Sequence, residues 1–458
     1  MKFRKFGKAL LISALSTGVL LGVSSCIQSY SVGYIYVTGT VTGQSGSNGI
    51  ISGYKIEHNT GGLTQINGLP VSSGGANPVR AVLISGSRFL YVLNRGVNAN
   101  GNANCSGTTG NTVCNGSNIE AFAVGGNGVL TPQGTYYTQG LNPFRMVADS
   151  SGNYLLVLDH DAPSSAGCTT LFNTSSCGDI TVFQINSTTG RLSLQNNTQF
   201  NTAYGASLTY FPVPANPVDF VLSGSNVITL SGAAGTNQAA YPYAYAASTG
   251  QLTTTTNVSQ PLGIYRATGL TMAGGMLYVM DNEAPGSIAT TPTPTSVPCP
   301  TSTANPTGAC SMIIPYTLGS SGSLQAQTVG QIADDPTLAN PSWLIVESKS
   351  KYLYVANQGN NITGNNNAGS GITGYYITNS PAFQLSFTTP STFGSGSAPQ
   401  CLVEDPSNQY IYTANYNDNT IQGSVLDPNS GVLTDMRVNS KYTLSGPATW
   451  CLVDGRTN

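Results

Sequence analysis

The chain has 458 residues, of which only 7% are charged and 54 are glycine. Setting aside the first 25 residues removes four of the 16 basic groups and none of the 18 acidic ones, leaving a net charge of −6, the wrong sign for a nucleic-acid binder. An apolar fraction of 40% supports a large core and excludes wholesale disorder, while abundant Gly, Ser, Thr, Asn and Tyr with few charges exclude a mainly helical chain.

Residues 1–8 carry Lys2, Arg4, Lys5 and Lys8, and an apolar run follows from Ala9 to Val23. These are the charged and apolar regions of a secretory signal, shorter than a membrane span. Val23-Ser24-Ser25-Cys26 resembles the lipobox of bacterial lipoproteins. That resemblance implies cleavage before Cys26 and lipidation of its thiol. Ile27 rather than Asp after the cysteine implies the outer membrane or cell surface rather than the inner membrane. The expected organisation is a signal peptide over 1–25, a lipidated tether over 26–33 and one domain over 34–458. No second long apolar run occurs, so the membrane is expected to be reached only through the anchor.

Eight further cysteines follow, and six form close pairs: Cys105 and Cys114, Cys168 and Cys177, Cys299 and Cys310. Each pair lies in a Gly/Ser/Thr/Pro/Asn-rich stretch. Zinc would require closer spacing or more than His58 and His160, so no metal site is expected and loop-stapling disulfides are.

Along the chain a unit recurs. A Pro opens a short apolar strand, a turn leads into a Leu-Tyr-Val strand, and an Ile-x-x-(Tyr/Phe) strand ends in a Gly-x-Leu-Thr turn. Its first half begins at Asn77, Asn142, Asn216, Gly263, Asn340 and Ala398. Its second half begins at Ile50, Asn118, Asp179, Ala240, Met312, Ile372 and Ile421. Alternating apolar residues bounded by Gly, Asn and Asp predict antiparallel strands, four to a unit, repeated radially as in a β-propeller. The chain starts in mid-unit with Tyr34-Ile35-Tyr36-Val37 and ends on a lone first strand, Gly446 to Val453. Six full units and these two fragments predict an all-β, seven-bladed β-propeller, closed by pairing the N- and C-terminal strands in one shared blade.

The repeat resembles that of the bacterial seven-bladed propeller lactonases, which include 6-phosphogluconolactonase-like proteins and YVTN-type repeat propellers. The resemblance spans about residues 34–458. It implies a hydrolase acting on a lactone, without a cofactor, whose site lies in the central channel. A propeller hosts many chemistries, so the residues must carry that expectation.

The position two after each repeat Pro is expected to face the channel, giving Arg80, Arg145, Asp219, Trp343 and Cys401, with Arg266 at the corresponding place in the unit without Pro. Arginine forks suit a carboxylate or phosphate, so Arg80, Arg145 and Asp219 are the expected ligand-binding residues. The family places a Glu after an Asn at the end of a Tyr-Val strand; Asn282-Glu283 reproduces it, and Arg266 precedes it at a matching distance. The family's channel His is absent. His160, flanked by Asp159 and Asp161, is the remaining imidazole base, so Arg266, Glu283 and His160 form the expected catalytic set. The three arginines would equally serve strand-end carbonyls and acids, so catalysis stays open. A second class fits as well: a monomeric, non-catalytic envelope propeller binding a protein or glycan through its large polar loops. Cys401 and Cys451 remain. Both begin a Cys-Leu-Val sequence in inner strands of neighbouring blades, where they are expected at equivalent places, and the spacing alone leaves open whether they bond.

Overall fold

A computed structural model describes residues 30–41, 48–84, 86, 88–97, 116–198, 208–255, 259–282, 311–327, 332–359, 368–379 and 382–455. Within them seven antiparallel sheets follow one another around a ring, each with four successive strands running outward from the centre. The inner strands are Pro78–Leu83, Leu141–Ala148, Pro217–Ser223, Ala267–Ala273, Pro341–Val346, Pro399–Glu404 and Ala448–Asp454. The last belongs to the blade that the chain begins. It pairs with Ser31–Thr40, from Tyr34 opposite Asp454 to Gly39 opposite Ala448. The seven-bladed ring closed at a shared blade is therefore the observed fold. The first strand starts at Ser31, earlier than the Tyr34 expected from the repeat.

The sequence repeat follows from the geometry. Second strands such as Phe89–Asn94, Met276–Asp281 and Tyr410–Asn415 are buried along their whole length, covered on both faces by adjacent blades. Their tyrosines also stitch blade to blade. The hydroxyls of Tyr36, Tyr91, Tyr354 and Tyr412 donate to the carbonyls of Gly128, Gly190, Gly431 and Gly61 in the outer turn of the next blade, at 2.7, 2.7, 2.7 and 2.6 Å. Those four glycines have φ between 67° and 82°, a conformation that glycine adopts without steric cost. The Asn before the repeat Pro has a similar cause: Asn77, Asn142, Asn216 and Asn340 sit at φ of 52° to 62°, which Asn tolerates better than most residues.

Cys168 and Cys177 are bonded as expected, at a Cα separation of 5.3 Å, around the short helix Ser165–Phe172. Cys401 and Cys451 are bonded too, with Cα atoms 5.9 Å apart. Their places are not equivalent, however. Cys401 lies opposite Ala414, whereas in the closing blade the matching residue is Trp450, opposite Thr38. Side chains alternate between the faces of a strand, so the one-residue offset turns the two thiols toward each other across the blade interface. Cys26, Cys105, Cys114, Cys299 and Cys310 lie outside the described residues. No helix among the described residues is long and apolar enough to cross a membrane.

Candidate functional site

Every inner strand shifts register against its neighbour at the same place, between the repeat Pro, or its substitute, and the residue two further on. This shared bulge re-aims one residue per blade. In chain order those residues are Arg80, Arg145, Asp219, Gly269, Trp343, Cys401 and Trp450, each opposite the next-to-last buried position of its second strand. Two places differ from the sequence expectation. In the blade of Ala267–Ala273, Ala267 stands where five other blades have Pro, so Gly269 takes the ring position and Arg266 falls before the strand. In the closing blade the substitute is Ala448 rather than Pro447, which brings in Trp450, a residue the repeat spacing missed.

The structure brings Arg80, Arg145 and Asp219 together. Asp219 is 3% exposed; its Oδ1 accepts the Phe220 N–H at 2.9 Å and its Oδ2 the Leu270 N–H at 3.1 Å. Arg145 Nε stands 3.1 Å from Asp219 Oδ1, while its Nη1 donates to the Phe144 carbonyl at 3.1 Å. Arg80 is 7% exposed and packs under aromatic rings, its guanidinium carbon 3.7 Å from the Trp450 ring centre and 5.1 Å from that of Trp343. The two indoles meet edge to face at 4.6 Å. Arg80 Nη1 is buried with no hydrogen-bond partner among the described residues. Burial and then the neighbouring Arg145 charge lower the Arg80 pKa to about 9, with Asp219 pulling the other way. Two guanidiniums thus face one carboxylate, an excess of one positive charge, and Arg80 Nη1 and Arg145 Nε are both buried without a hydrogen bond among the described residues.

This layer divides the channel. The chamber on the side where the inner strands end has a volume of about 330 Å³ and is walled by apolar residues including Val82, Val147, Leu222 and Met272. The chamber on the side where they begin, about 270 Å³, is polar, with Asn340, Ser342, Gln358 and Gln400 on its wall. There the amides bond to one another: Asn340 Nδ2 donates to Gln358 Oε1 at 3.1 Å, and Gln358 Nε2 to Gln400 Oε1 at 2.8 Å.

Of the expected catalytic set, the two described members, Arg266 and His160, do not line this channel. Arg266 is exposed, its backbone N–H donating to Asp281 Oδ1 at 3.0 Å, and it lines neither chamber. His160 lies outside the chambers as well, with Nδ1 3.1 Å from Asp161 Oδ1 and its ring 6.2 Å from that of Phe144. Glu283 lies outside the described residues. Among the described residues no group of three or more His, Cys, Asp or Glu is placed to hold a metal.

Residues 307–449 match the seven-bladed β-propeller lactonase family. The matched segment holds Trp343 and Cys401, whereas Arg80, Arg145 and Asp219 precede it. No curated protein matches the chain. Among solved structures, a 6-phosphogluconolactonase-like protein from Bacteroides fragilis is 16% identical, with a TM-score of 0.60 over 92% of this chain and 98% of that one. A similar protein from Bacteroides uniformis is 15% identical, with a TM-score of 0.59 over 92% of this chain and 100% of that one. A hypothetical selenium-binding protein from Sulfolobus tokodaii is 11% identical, with a TM-score of 0.56 over 94% of this chain and 95% of that one. At these identities the likeness to the lactonase-like propellers is one of fold.

Proposed function

We propose that this lactonase-like propeller is an exported, lipid-anchored protein whose channel binds a small organic anion. The observation that carries the reading is the buried Arg80, which keeps an unpartnered Nη1 beside Arg145 and under two indoles. A buried guanidinium without a full set of acceptors is costly, and a carboxylate bound in the fork removes that cost. Binding rather than hydrolysis is favoured because, among the described residues, Asp219 is the only acid lining either chamber, and its oxygens already accept two backbone N–H groups beside Arg145. With those oxygens engaged, the carboxylate is poorly placed to take a proton from an attacking water.

Two features support export. The N-terminal residues combine the basic region, the apolar run and Cys26 of a lipoprotein signal, and both described cysteine pairs are bonded, as suits an oxidising compartment. Tyr34 pairs with Asp454, the last residue of its inner strand, and Tyr30 precedes it on that side, so a lipid at Cys26 would hold the apolar chamber toward the membrane. The test is a panel of lactones and their ring-opened hydroxy acids offered to the Cys26→Ser chain. The reading expects hydroxy-acid binding, lost in Arg145→Gln, without lactone turnover. Turnover abolished by Arg266→Ala would restore the hydrolase set named from the sequence.

A further inference from the structure

The geometry points to an amphipathic monocarboxylate, a carboxylate head on an acyl or aryl tail, as the ligand of this channel. The inference rests on the anion-binding reading above and adds the chemistry of the rest of the ligand. The head is fixed by charge: one surplus positive charge in the layer matches one carboxylate, and the unpartnered Arg80 Nη1 faces that need directly. A phosphate ester would bring a second negative charge against Asp219. The tail is fixed by the wall. Beyond the layer, on the strand-end side, the chamber is lined by the apolar residues Val82, Val147, Leu222 and Met272, each still partly exposed. Thr271 is the one hydroxyl on that wall, and it is 6% exposed. A polyhydroxylated sugar acid laid there would leave its hydroxyls without partners, which costs more than the contacts return. On the opposite side the amides of Asn340, Gln358 and Gln400 satisfy one another, so that wall offers few unpaired donors to a sugar. The flat faces of Trp343 and Trp450 bound the junction where head meets tail.

The chain's two tryptophans both belong to the layer, so indole emission reports this site alone. The experiment titrates the Cys26→Ser chain with octanoate, butyrate, gluconate and octanol while following tryptophan emission. Octanoate is expected to change the emission saturably and to bind at least about tenfold tighter than butyrate, since each buried methylene contributes roughly 0.8 kcal/mol, or about fourfold. Octanol is expected to give no saturable change. In Arg80→Met the octanoate response is expected to vanish while the far-UV circular dichroism and cooperative melt persist. In Met272→Gln octanoate is expected to weaken several-fold and butyrate to hold. Equal binding of gluconate and octanoate, or of butyrate and octanoate, would overturn the amphipathic assignment and leave the anion site standing. Octanol binding as tightly as octanoate, or no response to any anion, would overturn the anion site as well.

Discussion

Replacing Arg80 by Met separates a binding residue from a structural one, because the two roles predict opposite changes in stability. Met keeps an unbranched stem against Trp450 and removes the charge. Burial lowers the Arg80 guanidinium to a pKa of about 9, which corresponds to about 5 kcal/mol of unfavourable environment as an upper bound. Stacking on Trp450 at 3.7 Å and Trp343 at 5.1 Å returns about 2 kcal/mol. The unfilled site therefore destabilises the folded chain, and Arg80→Met is expected to raise stability by about 1–3 kcal/mol, in the usual direction for a residue kept for function. The assay is urea unfolding at neutral pH, read as a midpoint shift at unchanged slope. A second series with octanoate at about 100 times its dissociation constant should stabilise the parent by about 2.7 kcal/mol and leave the variant unmoved. Loss of more than about 1 kcal/mol in the variant would refute the reasoning and make Arg80 a packing and capping residue.

Four further changes test the scaffold and the export reading. Tyr412→Phe should cost about 1–2 kcal/mol in urea midpoint, because it leaves the Gly61 carbonyl unpaired at a buried blade contact. Replacing both Cys401 and Cys451 by Ala should cost about 4 kcal/mol, the chain-entropy value for a separation of 50 residues, and non-reducing peptide mapping of the parent should show the cross-link. Burial raises the pKa of both Asp159 and Asp179, which face each other across their strands; the folded state keeps protons that the unfolded state has released, so stability is highest in acid and falls as pH rises. Asp159→Asn should raise the neutral-pH midpoint by about 1–3 kcal/mol and flatten that decline, since Asn94, Asn357 and Asn415 fill the same place in other blades. Cys26→Ser should move the protein from membrane to soluble fractions, and an unmodified Cys26 in the mature chain by mass spectrometry would sink the anchor.

The fold was legible because its requirements recur from blade to blade. The hydroxyl of Tyr91 must reach Gly190 as that of Tyr354 must reach Gly431, so Tyr and Gly recur at fixed spacing and give the ring away. The channel is the opposite case. Its residues differ from blade to blade by design of the site, so periodicity can find their position but not vouch for it. Pro marked the position correctly for Arg80, Arg145 and Asp219. It failed where Ala267 and Ala448 replace it, which put Arg266 in the place of Gly269 and hid Trp450. The Cys401–Cys451 bond was undecidable for the same reason, since it depends on a one-residue offset visible only in the register.

That offset also ties the closing seam to the site. The ring is shut by backbone pairing of Ala448–Asp454 with Ser31–Thr40, and the same inner strand carries Trp450 over Arg80. A seam held by hydrogen bonds alone is where a propeller opens most easily, because the shared blade is the one sheet whose strands come from both ends of the chain. Opening it would lift the indole from the guanidinium and merge the two chambers. Cys451, next to Trp450, is bonded to Cys401 on the neighbouring blade, so the strand is held from its other face as well. The bond thus acts on both levels: it closes the ring covalently, and it fixes the aromatic wall at the one point where ring closure and ligand site coincide.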